Sequence, residues 1–332
     1  MAGVTTTPGS RADSAVGAGG DAGRPVTGGV VVALLTVYLV WGSTYLAIRY
    51  TVADLPPLLA MGVRFLLAGA LMAAALRVFR GRAVFRMTRQ EMATAAVCGL
   101  FLLVGGNGLV AVAEQDVDSG LAALLIAATP LWVVVLRALL RDRPSLATLL
   151  GLLLGMAGVA VLLLPGISGA AALGPLLLVC LSSLLWSCGT VLATRRPMPR
   201  DPFATTVVEM AVGGAAMVLI GSVGGEWARL DLGAVRSASW IAFGYLVVVG
   251  SLAGYSAYVW LLARAPLSLA TTYAYVNPAV AVALGAVFLA EPLSPSVLVG
   301  GAVIIVAVAV VITAESRRRR PARSDAVPAE PA

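Results

Sequence analysis

Ten unbroken apolar runs, each long enough to cross a bilayer, dominate this chain. They lie near 30–48, 58–78, 93–113, 119–140, 146–164, 173–194, 204–222, 238–261, 268–290 and 296–314. A hydrocarbon core about 30 Å thick takes about 20 helical residues to cross. Inside it the backbone finds no water, so each run must close its own hydrogen bonds as a helix or join a closed barrel. The runs are continuous rather than alternating, which argues against a barrel. The fold class expected is therefore an all-α integral membrane protein with ten transmembrane helices. Composition agrees: 60% of the 332 residues are hydrophobic and 12% are charged, against about 25% charged in a soluble domain.

The charges that remain are informative. The chain has no His, and all 23 basic residues are Arg. His triads, His metal ligands and Lys Schiff bases are excluded. Cys98, Cys180 and Cys188 sit singly in apolar runs, so no metal site is expected, and no cofactor either. With the N-terminus placed in the cytoplasm, outer connectors carry only Arg49, Arg229 and Arg236, and Arg64 lies within a span. The other nineteen of the 23 fall on the inner side. That asymmetry predicts a multi-pass protein of the bacterial plasma membrane with both termini cytoplasmic. It also explains the net charge of +7 without any nucleic-acid partner.

The chain repeats itself. At an offset of 145, Trp41 matches Trp186, Pro57 matches Pro202, Gly69 matches Gly214 and Gly99 matches Gly244. At an offset of 148, Pro130 matches Pro278 and Arg143-Pro144 matches Glu291-Pro292. Five spans per repeat is odd, so the second copy enters the membrane from the opposite side. This predicts two inverted five-helix repeats, 30–165 and 173–314, between polar tails at 1–29 and 315–332. Inverted repeats are common in secondary transporters, whose sites lie near the midplane between the halves.

Six segments carry a family resemblance: VWGSTYLAIR (40–49), GVRFLLAG (62–69), GGNGLVAVAEQ (105–115), SGLAALLIAATP (119–130), TYAYVNPAVAV (272–282) and AEPLS (290–294). Together they resemble the EamA-type permeases of the drug/metabolite transporter superfamily, over about 30–314. The resemblance implies ten helices in two EamA repeats, transport of small organic solutes, often export, and a central cavity built by the first four helices of each repeat. It leaves spans 5 and 10 peripheral and available for a homodimer contact.

Candidate functional residues follow from depth and chemistry. Arg64 and Glu209 match at the 145 offset, each about 9 Å from an end of its span. Inversion sets them in opposite leaflets, so the expected pairs are Arg64 with Glu114 and Glu209 with Arg264. These four are gating or coupling candidates, with Glu209 the expected proton carrier, or else structural ion pairs. Gly105-Gly106-Asn107-Gly108 predicts a broken helix with Asn107 on the substrate, or close helix packing. Pro130 and Pro278, preceded by Thr129 and Asn277, predict matched kinks. Trp41, Ser43, Thr44, Tyr45, Trp186, Ser251, Ser256, Tyr258, Thr271, Thr272, Tyr273 and Tyr275 would wall a substrate pathway of aromatic and neutral polar groups. Tyr38 and Trp240 are expected in the interfacial belt. Gly151-xxx-Gly155 and Gly250-xxx-Gly254 read as packing motifs.

The leading function is a secondary transporter, exporting amino-acid-like or amphipathic solutes by alternating access with proton coupling. A passive channel is the alternative. An integral-membrane enzyme is a remote one, since the only acidic cluster is the outer 114–118 segment. No GxxxxGK[ST] motif is present, so nothing in the chain supports direct ATP drive.

Overall fold

The computed structural model describes residues 27–142, 144–167, 172–265 and 272–318. Most of both expected tails, together with Arg143 and Thr271, lies outside the described residues. The first five helices are α1 (Gly28–Val52), α2 (Pro57–Phe79), α3 (Arg89–Ala113), α4 (Ser119–Leu139) and α5 (Leu146–Ile167). The second five are α6 (Leu173–Arg195), α7 (Pro202–Val223), α8 (Ser237–Arg264), α9 (Tyr273–Leu289) and α10 (Pro295–Arg318). Among the described residues nine are long and apolar enough to cross a membrane, and α9 is a shorter apolar helix.

Local chemistry sets several ends. Pro57 and Pro202 open α2 and α7, where a missing N–H costs nothing. Asp201 caps α7, accepting from the N–H groups of Phe203 (2.9 Å) and Ala204 (3.1 Å). Thr88 and Glu91 form a capping box at the start of α3.

Two helices change their winding. The stretches Leu100–Gly108 of α3 and Leu246–Ala253 of α8 are π-helical and occupy equivalent places in the two halves. In each, a polar side chain bonds the carbonyl five residues back: Asn107 Nδ2 to Leu102 (3.5 Å) and Ser251 Oγ to Leu246 (2.9 Å). The expected break in α3 is therefore a correction: the helix widens but continues. The two prolines sit differently in their helices. A turn at Ala127–Ala128 interrupts α4 just before Thr129 and Pro130, whereas Pro278 sits inside an unbroken α9.

Helix pairing repeats with the halves exchanged. α2 packs on α7 and α5 packs on α10, each with its own counterpart. The α1–α9 contact has its equivalent in α6–α4, and α1–α8 in α6–α3. Contact between α2 and α7 is close. A Cβ on Gly62 would stand 2.8 Å from the Gly214 carbonyl, and one on Gly214 2.9 Å from that of Gly62. The α5–α10 pair closes over Gly151, Gly155 and Gly158, where the first of the expected packing motifs falls.

The side-chain pattern is that of a bilayer protein. Leu71, Leu150, Leu153, Leu219, Ile241 and Val299 are exposed on the outside of the bundle, while Ser182, Ser183, Ser187, Ser251 and Asn277 are buried within it. Hydrocarbon rewards the first set and would penalise the second.

Candidate functional site

The residues expected to wall a pathway meet in part where α1, α8 and α9 come together. Trp41, Tyr258 and Tyr273 form a triangle of rings with centroids 4.9, 5.1 and 5.5 Å apart. The Trp41–Tyr273 and Tyr258–Tyr273 contacts are edge-on, the arrangement that ring quadrupoles favour. Gly254 makes room for it: a Cβ there would lie 2.8 Å from Trp41 Nε1. The matching Trp186 lies against Gly106 of α3, whose Cβ would be 2.5 Å from its ring. Each repeat tryptophan thus rests on a glycine of a π-widened helix in the other half.

One turn along α8 from Gly254, a Cβ on Gly250 would stand 3.2 Å from Thr44 Cγ2 and 3.4 Å from Arg64 Nη2. Arg64 is buried, with only 4% of its surface exposed. Its Nε donates to Ser251 Oγ at 3.1 Å, Nη1 lies 3.5 Å from Met61 Sδ, and the guanidinium lies 4.6 Å from the Phe65 ring centroid. No carboxylate reaches it among the described residues. The expected Arg64–Glu114 pair is therefore corrected. Glu114 instead receives Arg49, on its backbone carbonyl. The expected Glu209–Arg264 pair is corrected too: Arg264 lies 4.6 Å over the Trp260 ring. Glu209 stands where α7 crosses α3, its Cα 2.7 Å from where a Cβ on Gly99 would be. Both expectations rest on depth along a span, which does not fix a residue's helical neighbour.

The remaining candidates divide. Ser43 Oγ meets Tyr245 OH at 2.6 Å and also donates to the Leu39 carbonyl. Thr44 bonds the Trp41 carbonyl. Tyr45 and Tyr275 pack against the core cluster around Leu124, Leu125 and Leu131. Thr129 meets Ser183 at 3.0 Å, and its carbonyl accepts from Ser187 at 3.1 Å. Thr272 hydrogen-bonds Tyr38, which places Tyr38 inside the bundle rather than in a belt; Trp240 is 44% exposed, as a belt residue would be. Asn277 is buried with Oδ1 unpartnered.

Sequence reasoning missed the polar ties at the end that carries the α1–α2, α3–α4, α7–α8 and α9–α10 links. Asp54 accepts from Arg236 Nε (2.9 Å) and Ser239 Oγ (2.7 Å). Hydrogen bonds from Arg236 and then Ser239 hold the Asp54 carboxyl down to about 2. Glu226 accepts from the N–H groups of Leu58 (3.2 Å) and Leu59 (2.8 Å), capping α2 from the other half. Glu291 caps α4 likewise, accepting from Ser119 N (2.7 Å), Ser119 Oγ (2.7 Å) and Gly120 N (2.9 Å). The carboxylates thus lie at helix N-termini, where the macrodipole favours them. The only hint in the sequence was the AEPLS segment. At the opposite end the one ion pair between halves among the described residues is Arg80–Asp201, at 2.8 Å.

The comparisons with known proteins agree with this architecture. Residues 28–164 and 173–313 each match the model of the EamA-like transporter family. The chain belongs to this family. It is 37% identical over 278 residues to an uncharacterized inner membrane transporter, YedA, of Escherichia coli (strain K12), covering 83% of this chain and 88% of that protein. It is 27% identical over 305 residues to a probable amino-acid metabolite efflux pump of Salmonella typhimurium, covering 87% of this chain and 96% of that one. A crystal structure 22% identical in sequence matches the fold with a TM-score of 0.58, over 87% of this chain and 98% of the other. The protein is thus a multi-pass secondary membrane transporter for small organic solutes. Among the described residues no group of three or more His, Cys, Asp or Glu could hold a metal ion.

Proposed function

We propose that this EamA family member exports amino-acid-like solutes by alternating access between two inverted five-helix halves. The observation that carries the reading is the pairing of helices, which occurs twice with the halves exchanged. Two such packings exchange roles when the halves rock about the α2–α7 contact. That gives two states of similar energy, as a carrier needs.

The bias of arginines sets the α1–α2 end outside, with both termini in the cytoplasm of a bacterial cell. The ties at Asp54, Glu226 and Glu291 join the two halves at that end, which supports reading it as the closed side. A charge without a counter-ion in a span costs about 2.5–3.5 kcal/mol on insertion scales. Arg64 carries such a charge, and a solute carboxylate would relieve it. The aromatic triangle one helical turn away suits an apolar or cationic part of the same solute. The name of the Salmonella relative points the same way. Pro130, Asn107, Thr129, Trp186, Asn277 and Pro278 belong to the second wall of the pathway. Proton coupling completes the cycle.

Counterflow in proteoliposomes tests this reading. Vesicles loaded with an unlabelled amino acid should accumulate the labelled one, saturably, across a panel of amino acids and cationic drugs. Arg64→Ala should abolish exchange of carboxylate solutes. Flux that neither saturates nor exchanges would establish a passive channel instead.

A further inference from the structure

Glu114 follows the last residue of α3, Ala113, and is fully buried. Neither of its carboxyl oxygens has a hydrogen-bond partner. An ionised carboxylate in that state has lost its hydration and gained nothing in return. The surroundings do not rescue it. From α1 come Tyr45, whose phenol is uncharged at neutral pH, and Arg49, whose guanidinium is engaged on the Glu114 backbone carbonyl. From the turn before α4 comes Asp118, and from the α9–α10 link comes Glu291, both acidic. Of the facing helices α2 and α6, Arg64 of α2 is bonded to Ser251, and the other arginines of both lie at their opposite ends. Burial first, and Glu291 second, hold the Glu114 carboxyl well above the usual range, against the pull of Arg49. Burial and Glu291 act on Asp118 in the same direction.

We infer that Glu114 is a proton-binding site, and that the outer end closes only when this carboxyl is protonated. The inference rests on the carrier reading for the motion it governs. On closing, Glu114 takes a proton from outer water and is buried neutral. On opening, α1 and α3 part, and Arg49 leaves the Glu114 carbonyl. The proton then returns to outer water, and the carboxylate is stabilised by hydration and by the freed guanidinium. One proton separates the two states, so the closed-to-open ratio changes by at most tenfold per pH unit. Glu209, the expected carrier of the proton, has no part in this step.

Two measurements on the full chain decide the matter without a transported substrate. Infrared difference spectra at neutral pH, wild type minus Glu114→Gln, should show a protonated-carboxyl component, and that component should persist in Glu209→Gln. Spin labels at Gln115→Cys and Leu232→Cys, with the native cysteines replaced by serine, report the span of the outer end. The short-distance population should grow as pH falls, and in Glu114→Gln it should stay high at every pH. A protonated-carboxyl band of unchanged intensity in Glu114→Gln overturns the proposal. So does an unchanged pH response of the distances in that variant, or no response in the wild-type background. Failure of the counterflow panel with these two results in hand would refute the solute assignment and leave the proton site standing.

Discussion

Replacing Glu291 with alanine removes three hydrogen bonds at once. Its Oε1 accepts from Ser119 N and Ser119 Oγ, both at 2.7 Å, and its Oε2 accepts from Gly120 N at 2.9 Å. Two of the donors are N–H groups of the first turn of α4, which have no partner within the helix. Loss of a cap costs about 0.5–2 kcal/mol, and hydrogen bonds to a charged group lie at the upper end of the range. Glu291 is only partly buried, so water recovers some of the loss. The expected cost of Glu291→Ala is therefore about 2 kcal/mol. Glu291→Gln keeps an oxygen for Ser119 but turns an NH2 toward the Gly120 N–H, and should cost about 1 kcal/mol. Ser119→Ala removes only the hydroxyl bond. Added to Glu291→Ala it should cost less than it does alone, because the shared partner is already gone. Unfolding of the purified protein by denaturant titration in detergent micelles measures all four variants. Equal stability of Glu291→Gln and wild type, or strict additivity in the double variant, would refute the capping argument.

Two further outcomes follow from the geometry. Gly62→Ala places a Cβ 2.8 Å from both the Gly214 carbonyl and the Val218 nitrogen, backbone atoms that cannot move aside. It should cost about 1–3 kcal/mol in the same titration, whereas Gly174→Ala, with nothing within 4 Å, should be near neutral. The Asp54 carboxyl is held at about 2 by Arg236 and Ser239. Its contribution to stability is full above its unfolded value near 4 and disappears as pH falls through about 2. Thermal unfolding across pH should therefore show Asp54→Asn less stable than wild type at pH 6, with the two converging at pH 2.

Much of this protein was legible without coordinates. Apolar run length determined the class, because an unbonded backbone cannot cross hydrocarbon. The matches Trp41 with Trp186 and Pro57 with Pro202 revealed two halves, and the prolines stand at equivalent helix starts. Close packing at Gly106 and over Gly151 and Gly155 was readable, because a missing side chain is visible in the letters. Partnership was not. The burial of Arg64 and its match with Glu209 followed from position along a span, but its partner Ser251 lies 187 residues away on α8. The aromatic triangle joins α1, α8 and α9, and nothing in any one of them specifies that meeting. Glu226 and Glu291 read as ordinary connector charges until two other helices present bare N–H groups to them. Glu114 is the sharpest case. In the sequence it is a gating candidate expected to pair with Arg64. Only the packing of α1, α4 and the α9–α10 link around it removes the water that a carboxylate requires, and with it the charge.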